Sequence, residues 1–493
     1  MSVRDADPAW RSGASDRAKV AALAGGREAA LHYIRPLPGH DDATGKKYRA
    51  GAYFLPITAR SQEAFGGLVF AKTPMRNLPE ALDGIAADVT RTGQDLDRFA
   101  EMAFDAVLTT GCVCIVADYP QAVEGVTVLQ AEQQGIRPFL TLYDGSSILA
   151  ARFVGEGSAR VLGHVRLLET VEEPDPADEW ALAVVEQVRV LDLDAAGLYR
   201  QRVFREVKSA SVASTWVQHG ETIEPRKAGA RMPALPVYFT NARDAEPRPD
   251  TPPLRDLADV NIAHLNDSAA YQWGLVWTAN PTPVFIGLNL NEGEGVKLGS
   301  SEGLALPIGG DAKFMEFTGA GLSELRASME GKRRDGALMG ARLLLEDGKS
   351  AITAETARIQ RAGEVSVVAG IANAVSECLT KALAFVADWA GIDATVTNEK
   401  GATAPLSYWL NTNLNPSGLS AQDLAGLLAA WQAGAITLQD LYANLQQAEI
   451  VDPSKSFLDH QEQLAEAGEA LGMIEANDDE PEAEGDAGEG EAA

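Results

Sequence analysis

The chain has little of the side-chain chemistry on which many enzymes and secreted proteins depend. It has only three cysteines and six histidines in 493 residues, and it shows neither a disulfide framework nor the paired Cys/His spacing of a zinc site. Cys112 and Cys114 lie two residues apart in an apolar run, where they would share one face of a strand, a poor geometry for a bridge. We therefore expect a reducing compartment, no metal and no other cofactor.

Positive charge and long apolar runs are scarce as well. The 42 Lys and Arg residues face 70 Asp and Glu residues, which gives a formal net charge of −28. General nucleic-acid binding needs basic patches that displace counterions, so this balance argues against it and fits a surface that repels phosphate. No window approaches eighteen uninterrupted apolar residues, and the N-terminus MSVRDADPAWRSG has no apolar run. Neither a membrane span nor a signal peptide is expected.

Sequence patterns for catalysis are incomplete. Gly348-Lys349-Ser350 resembles the end of a phosphate-binding loop, but Leu343 replaces the required glycine and the preceding leucines predict a helix rather than a strand. Asp118 follows a buried strand, where a catalytic carboxylate could lie, yet no partner base is nearby in the sequence. A turn is favoured at both places, and we do not expect an enzyme. A nucleotide hydrolase that uses Gly348–Ser350 or Asp118 stays open as the alternative.

The segment from 251 to 391 is the most informative part of the chain. Apolar residues at steps of three and four predict a helix over 251–280, a second over 319–345 and a longer third over 352–395. The Gly-rich insert 281–318 between the first two has a strand-like pattern, and 346–351 forms a tight turn before the third. Helix, knob, helix, turn and long helix are typical of an elongated structural element rather than of a pocket.

Charged and small residues mark faces of these helices. Asp256 and Asp267 lie three helical turns apart with Asp259 about 60° away, which predicts an acidic strip or a solvated face. Lys332, Arg333 and Arg334 form the densest basic cluster, which fits either a solvated or salt-bridged face or contact with DNA phosphates. Gly336 and Gly340, one turn apart and extended by Gly331 and Ala341, favour close helix packing over a kinked helix.

The remaining chain divides by composition. Residues 1–92 predict short helices, 95–108 a helix and 112–117 a buried strand, and the pattern then turns to β from Arg137 to Phe239, with a hairpin connection at Asp192–Gly197. Residues 225–253 are rich in Pro and Arg and predict a linker. Capping boxes at Ser420 and Thr437, with a stop at Gly434, predict helices near the C-terminus. The acidic tail 476–493 is expected to be disordered.

Four groups of residues carry a family resemblance. The Leu96–Leu108 helix with Gly111, the following strand and Asp118-Tyr-Pro, then Arg137-Pro-Phe-Leu-Thr-Leu-Tyr, resemble the wing of tailed-bacteriophage portal proteins. Pro252-Pro-Leu-Arg-Asp-Leu-Ala-Asp-Val-Asn, Pro307-Ile-Gly-Gly-Asp-Ala-Lys-Phe and Thr353-Ala-Glu-Thr-Ala-Arg are similar to a phage-encoded branch of that family. The likeness covers most of residues 25–460 and rests on motif order.

The resemblance implies an α+β fold, with a mixed α/β wing, long stem helices, a small β-containing clip and a helical crown. It maps the wing and N-terminal region to 1–250, the stem helices to 251–280 and 319–345, and the clip to 281–318. A tunnel loop would then be 346–351, the long helix 352–395 and the crown 396–475.

The same resemblance implies a structural role in a virion. Portal subunits form a ring, usually of twelve, at one capsid vertex after assembly in the host cytoplasm. The ring conducts double-stranded DNA through transient non-specific contacts during packaging and ejection, and it involves the terminase large subunit, a head–tail adaptor, and the major capsid and scaffold proteins. A minor capsid or scaffold protein without a channel is a further alternative.

The implied site residues fall into three sets. The tunnel loop would place Glu346, Asp347, Gly348 and Lys349 at the DNA. The channel-facing stem charges would be Asp256, Asp259, Asp267, Lys332, Arg333 and Arg334. The clip would dock its partners through Phe285, Ile286 and Phe314.

Overall fold

A computed structural model of the chain describes residues 2–39, 41–120, 136–157, 160–175, 178–209, 212–280, 282–287, 296, 306–316, 318–340, 354–397, 403–414 and 421–447, with 450, 451, 455, 457, 460, 461, 463 and 464. The chain forms two compact units, Met1–Leu414 and Asn415–Ala493. The fold is a mixed α+β arrangement, as predicted.

The helices and strands of the first unit follow the predicted order. Its α-helices are α1 (Pro8–Ser12), α2 (Ala14–Ala24), α3 (Arg27–Ala30), α4 (Asp42–Gly51), α5 (Ile57–Phe70), α6 (Asp83–Ala86), α7 (Leu96–Thr110), α8 (Arg255–Ala279), α9 (Leu322–Met339) and α10 (Ala354–Ala390). Its strands are β1 (Met75–Asn77), β2 (Cys112–Asp118), β3 (Phe139–Asp144), β4 (Ile148–Val154), β5 (Val161–Asp175), β6 (Asp178–Leu193), β7 (Tyr199–Ser209), β8 (Val212–Ile223), β9 (Arg226–Lys227), β10 (Ala230–Arg231), β11 (Val237–Asn241), β12 (Thr282–Ile286), β13 (Asp311–Met315), β14 (Thr395–Thr397), β15 (Thr403–Pro405) and β16 (Ser407–Trp409).

The junction of α7 and β2 shows how local sequence sets these boundaries. The Asp95 side chain accepts a hydrogen bond from the backbone N–H of Arg98 and caps the helix start. Gly111 ends the helix with φ +77°, a left-handed conformation that glycine adopts without a Cβ clash. Every residue of β2 is buried. The predicted helix, stop and buried strand are therefore confirmed.

Two antiparallel sheets lie after α7. A three-stranded sheet has the order β11-β2-β3, and a five-stranded meander has the order β4-β5-β6-β7-β8. The linker predicted over 225–253 is wrong, because β11 lies within it and pairs with the buried strand β2 from Val237↔Val116 to Asn241↔Cys112. None of the prolines and arginines of this segment lies within β11, although Arg226 and Arg231 belong to the short strands β9 and β10. Composition averaged over the segment therefore concealed an apolar strand.

The helix α10 is the centre of the main core. Its buried side chains belong to one apolar cluster with those of α2, α5, α7 and α8, and it contacts α5 and α7 directly. By length and composition Val367–Ala390, with a mean hydropathy of 1.3, could cross a membrane, although half of that window is buried inside the protein. A core helix passes the same test, and the burial of Ile371, Val375 and Leu379 accounts for the apolar pattern here.

The second unit contains α11 (Ala421–Gln432) and α12 (Leu438–Gln447). Gly434 follows α11 with φ +72°, as the predicted stop requires. The Thr437 hydroxyl accepts from the Asp440 backbone N–H, and the Asp440 carboxylate accepts from the Thr437 N–H, so this capping box is confirmed. Ser420 and the tail 476–493 lie outside the described residues.

Candidate functional site

The candidate site is the pair formed by α8 and α9 with the β12–β13 hairpin at its end. The helices run antiparallel, since Gly274 lies against Leu322 at one end and Leu257 against Gly340 at the other. Leu322, Leu325 and Met329 of α9 are half-buried, and Leu322 lies against Gly274 of α8. The helix α9 ends at Met339, because Gly340 leaves the helical conformation with φ −141° and ψ −123°. The rest of the predicted helix, 341–345, lies outside the described residues.

Three of the charged side chains predicted to face a channel form ion pairs within the chain: Asp259, Asp267 and Lys332. Lys332 donates to Asp267 across the two helices, and Ser328 donates to the same carboxylate at 2.7 Å. Asp259 pairs with Lys19 of α2 at 2.5 Å. The structure therefore places Asp259 and Asp267 in different contacts rather than in one free acidic strip.

The remaining charges of this set stay near the surface. Arg333 and Arg334 pair weakly with Glu330, at 3.5 and 3.8 Å. Asp256 is exposed and borders a groove of about 280 Å³ whose apolar lining includes Phe65, Leu257 and Met339. Which of these side chains face a channel stays a prediction.

The small residues of α9 allow α5 to approach closely. A Cβ atom on Gly336 would lie 2.9 Å from Ile57 Cγ2, and one on Gly340 would clash with the Ser61 side chain. Close packing at these two glycines is confirmed. Gly331 does not extend that surface, because it is exposed with no neighbouring atom within 4 Å of such a Cβ, and Ala341 lies outside the described residues.

The hairpin places the predicted docking residues on two faces. Residues opposite each other in an antiparallel pair point to the same side, and Phe314 lies opposite Pro283 while Phe285 lies opposite Ala312. Phe285 and Phe314 therefore share one face. Ile286, one residue after Phe285, points to the other face. The sequence alone could not separate them, because the register depends on a loop of unknown conformation.

Apolar side chains are exposed along the end of α8 and the hairpin. Val276 and Trp277 are about half exposed, and Ile286, Phe314 and Met315 are exposed on the hairpin. A groove of about 490 Å³ between the helices is lined by Tyr271 and Leu275 of α8 and by Leu322, Arg326 and Glu330 of α9. Contiguous apolar surface of this kind is typical of a contact with another protein.

The predicted tunnel loop cannot be placed. Glu346, Asp347, Gly348 and Lys349, and with them the incomplete phosphate-loop pattern, lie outside the described residues. Among the residues that the structure does describe, no cluster of three His, Cys, Asp or Glu side chains could hold a metal ion.

Asp118, the other catalytic candidate, belongs to a buried polar network. Its carboxylate pairs with Arg189 and accepts from the Gln201 amide at 3.2 Å. Arg189 also donates to the Tyr143 hydroxyl at 3.2 Å and lies 3.7 Å from Glu169. Burial opposes the charged form of Arg189, but four acidic or phenolic neighbours outweigh it and hold the pKa of Arg189 above its usual range: Tyr143, Asp118, Glu169 and Tyr199. Both Asp118 oxygens have partners, so the network joins two sheets and leaves no free base there.

Sequence reasoning missed Arg189. The pairing joins residues 71 positions apart, and an arginine in the middle of a strand with alternating burial predicts an exposed side chain. The only available signal was an Asp at the end of a fully apolar strand, since a buried carboxylate requires a partner.

The chain is similar to solved structures over most of its length, and a family model matches the part that contains the paired helices. One similar solved structure is the neck of an empty GTA particle computed with C6 symmetry, with 16% sequence identity over 83% of this chain and 95% of that chain, and a TM-score of 0.37. Another is the neck of a native GTA particle computed with C12 symmetry, with 15% identity over 85% of this chain and 98% of that chain, and a TM-score of 0.37. No curated protein matches.

A family model described as a domain of unknown function (DUF4055) matches residues 253–390. That range begins just before α8 and ends with the last residue of α10. The part of the chain that matches a family model is therefore the part that contains the paired helices, their hairpin and the core helix.

Proposed function

We propose that this protein is the subunit of a portal ring, a head–tail connector at a virion capsid vertex through which DNA is packaged and ejected. The observation that carries the proposal is the pair α8–α9, which packs at one end on the core and ends at the other in apolar side chains that the described chain leaves uncovered. The motif order of the sequence, which resembles that of portal proteins, supports the same conclusion.

The uncovered surface favours assembly of identical subunits. Trp277 and Val276 on α8 and the groove beside Leu275 lie on one helical pair, and burying such apolar area stabilises an interface by about 25 cal/mol per Å². A contact between two different patches of one chain closes into a ring when the rotation per subunit fits a whole number of copies. Twelve is the number that the portal resemblance implies.

The charge of the chain suits a conduit. With a net charge of −28, a ring would repel the phosphates of a duplex and prevent it from settling into tight contacts. In this proposal the acidic surface dominates the channel, and Lys349 supplies the weak, reversible phosphate contact. Asp256 and Arg334, exposed on the paired helices, are the charges best placed to line the wall.

The hairpin is the proposed docking element for other components. Its two faces, one with Phe285 and Phe314 and one with Ile286, offer separate apolar surfaces. In a portal, the terminase large subunit and later the head–tail adaptor use this end in turn, while capsid and scaffold proteins surround the ring.

The test is direct imaging of the purified full chain. Negative-stain microscopy and mass photometry at micromolar concentration should show rings with a central hole. A variant that carries Val276→Ser and Trp277→Ser should shift the population toward monomers, while Arg11→Ser, at an exposed position on α1, should not. A monomeric wild-type chain would contradict the proposal, and ATP turnover by that monomer would support a nucleotide hydrolase instead.

A further inference from the structure

A two-stranded ribbon extends from the five-stranded sheet, and no other strand in the described part of the chain pairs with either of its edges. Strand β4 pairs with β5 only as far as Leu167, and β7 pairs with β6 only from Gln187 onward. Within the described residues, 170–175 therefore pair only with 178 and 182–186, and 179–181 lie at the irregularity between Pro174 and Asp175. We call these residues the acidic arm. An isolated two-stranded hairpin is marginally stable in water, so a surface that packs against the arm would stabilise it.

One face of the acidic arm is apolar and uncovered. Leu182 and Val184 alternate along β6 and so point to the same side, where they are 62% and 66% exposed, and Trp180 beside them is 89% exposed. Pro174 lies opposite Leu182 and adds to that face. Scattered exposed apolar residues are ordinary, but a continuous row on a projecting ribbon is typical of a contact surface.

Negative charge surrounds this apolar row. Residues 170–186 contain no Lys or Arg. Glu173 pairs with Arg205 and Glu186 lies near Arg4, whereas Glu172, Asp178 and Glu179 have no cationic partner among the described residues. This charge would repel a second acidic arm and a nucleic acid, so the arm fits a basic surface that also offers an apolar contact.

The chain itself has a surface of that kind on and after α4. Lys46, Lys47 and Arg49 are exposed and have no carboxylate partner within the described ranges. Tyr53, just beyond the helix, is 60% exposed. Between residues 41 and 79 the chain has six Lys and Arg residues against two Asp and one Glu, the reverse of its overall balance. We call Lys46, Lys47, Arg49 and Tyr53 the basic patch.

We propose that the acidic arm of one subunit docks on the basic patch of a second copy of the chain. The contact joins two different surfaces, as a ring requires, and it pairs the free carboxylates with the free ammonium and guanidinium groups. Trp180 and Tyr53 supply its apolar part. The inference rests on the proposed ring, and it adds which surfaces hold neighbouring subunits together.

Charge reversal with rescue tests the contact. Glu172→Lys/Glu179→Lys and, separately, Lys46→Glu/Lys47→Glu should each raise the concentration at which half of the chains are in rings by about tenfold or more, because like charges would then face each other. The four substitutions together should bring that concentration back toward the wild-type value. Trp180→Ala should weaken rings without any change in salt dependence.

A matched control variant shows whether a loss of rings depends on these two surfaces or only on net charge. Glu80→Lys/Glu221→Lys makes the same change in net charge as Glu172→Lys/Glu179→Lys, at exposed positions outside both surfaces, and should leave ring formation unchanged. Far-UV circular dichroism should show that all variants are folded. Rings that persist in both reversal variants, or that the combined variant fails to restore, would overturn this contact while leaving the proposed ring intact. A wild-type chain that never forms rings would overturn both.

Discussion

Lys332 of α9 and Asp267 of α8 form an ion pair that joins the two long helices. Their side chains are 27% and 20% exposed, so the pair lies at the edge of the helix contact. The Ser328 hydroxyl donates to the same Asp267 oxygen. A lysine and an aspartate that sequence reasoning assigned to a channel wall therefore hold the helical pair together.

Lys332→Ala should lower the thermal midpoint of unfolding. It leaves Asp267 partly buried without its cation, and an interaction of this kind contributes about 1–2 kcal/mol. Arg334→Ala is the control, because its side chain is 68% exposed and its oxygen partner on Glu330 is 3.8 Å away, a geometry that contributes at most about 0.5–1 kcal/mol. Equal midpoints for the two variants, measured by scanning calorimetry, would show that the pair is not structural.

Gly336→Ala should destabilise the chain despite the better helix propensity of alanine. Propensity favours the substitution by about 1 kcal/mol, but the new Cβ would lie 2.9 Å from Ile57, and overpacking costs about 1–3 kcal/mol. Gly331→Ala in the same helix meets nothing within 4 Å and should be stabilising. The difference in thermal midpoint between the two variants is the measurement, and a stabilised Gly336→Ala would contradict the close approach of α5.

Features set by local sequence could be predicted. The 3.6-residue period gave α8, α9 and α10, and the alternation after Arg137 gave the β region, because these patterns depend on neighbours within a few residues. Gly111 and Gly434 marked helix ends for the same reason. The spacing of Gly336 and Gly340 correctly indicated a close contact, although it could not say that α5 would be the partner.

Features that depend on contacts between distant residues could not be predicted from the sequence. Asp267 and Lys332 are 65 positions apart, and Asp118 and Arg189 are 71, so no periodicity relates them. The predicted β region ended at Phe239 and overlapped the predicted linker, so β11 was not identified as a separate strand. Its apolar residues lie between prolines, and their pairing with β2 is a contact between distant parts of the chain. The two faces of the β12–β13 hairpin depend on its register, which is likewise a property of the folded chain.

Arg189→Met should be among the most destabilising substitutions. It leaves Asp118, with a side chain only 10% exposed, without its cation, and breaking a buried pair in this way costs about 3–5 kcal/mol. The double variant Arg189→Met/Asp118→Leu removes both charges and should recover much of the loss. Thermal midpoints of the two variants decide the matter, and a double variant no more stable than the single one would show that the network does not act through this pair.

Stability should fall as the pH rises through the range in which Asp105 ionises. Burial between α7 and α5 raises the pKa of this carboxyl from its ordinary value of 3.8 to about 6, although a hydrogen bond with Gln62 opposes the shift. Between those two values the folded chain keeps a proton that the unfolded chain has released, so each rise in pH favours unfolding, and the loss of stability is complete above about pH 6.

Asp105→Asn cannot ionise, so its thermal midpoint relative to wild type should be higher at pH 7.5 than at pH 4. The exposed Glu80→Gln serves as the control and should show no such change. If the midpoint difference between Asp105→Asn and wild type were the same at both pH values, the carboxyl would not titrate in this range, and the packing of α5 against α7 would not bury it as the structure indicates.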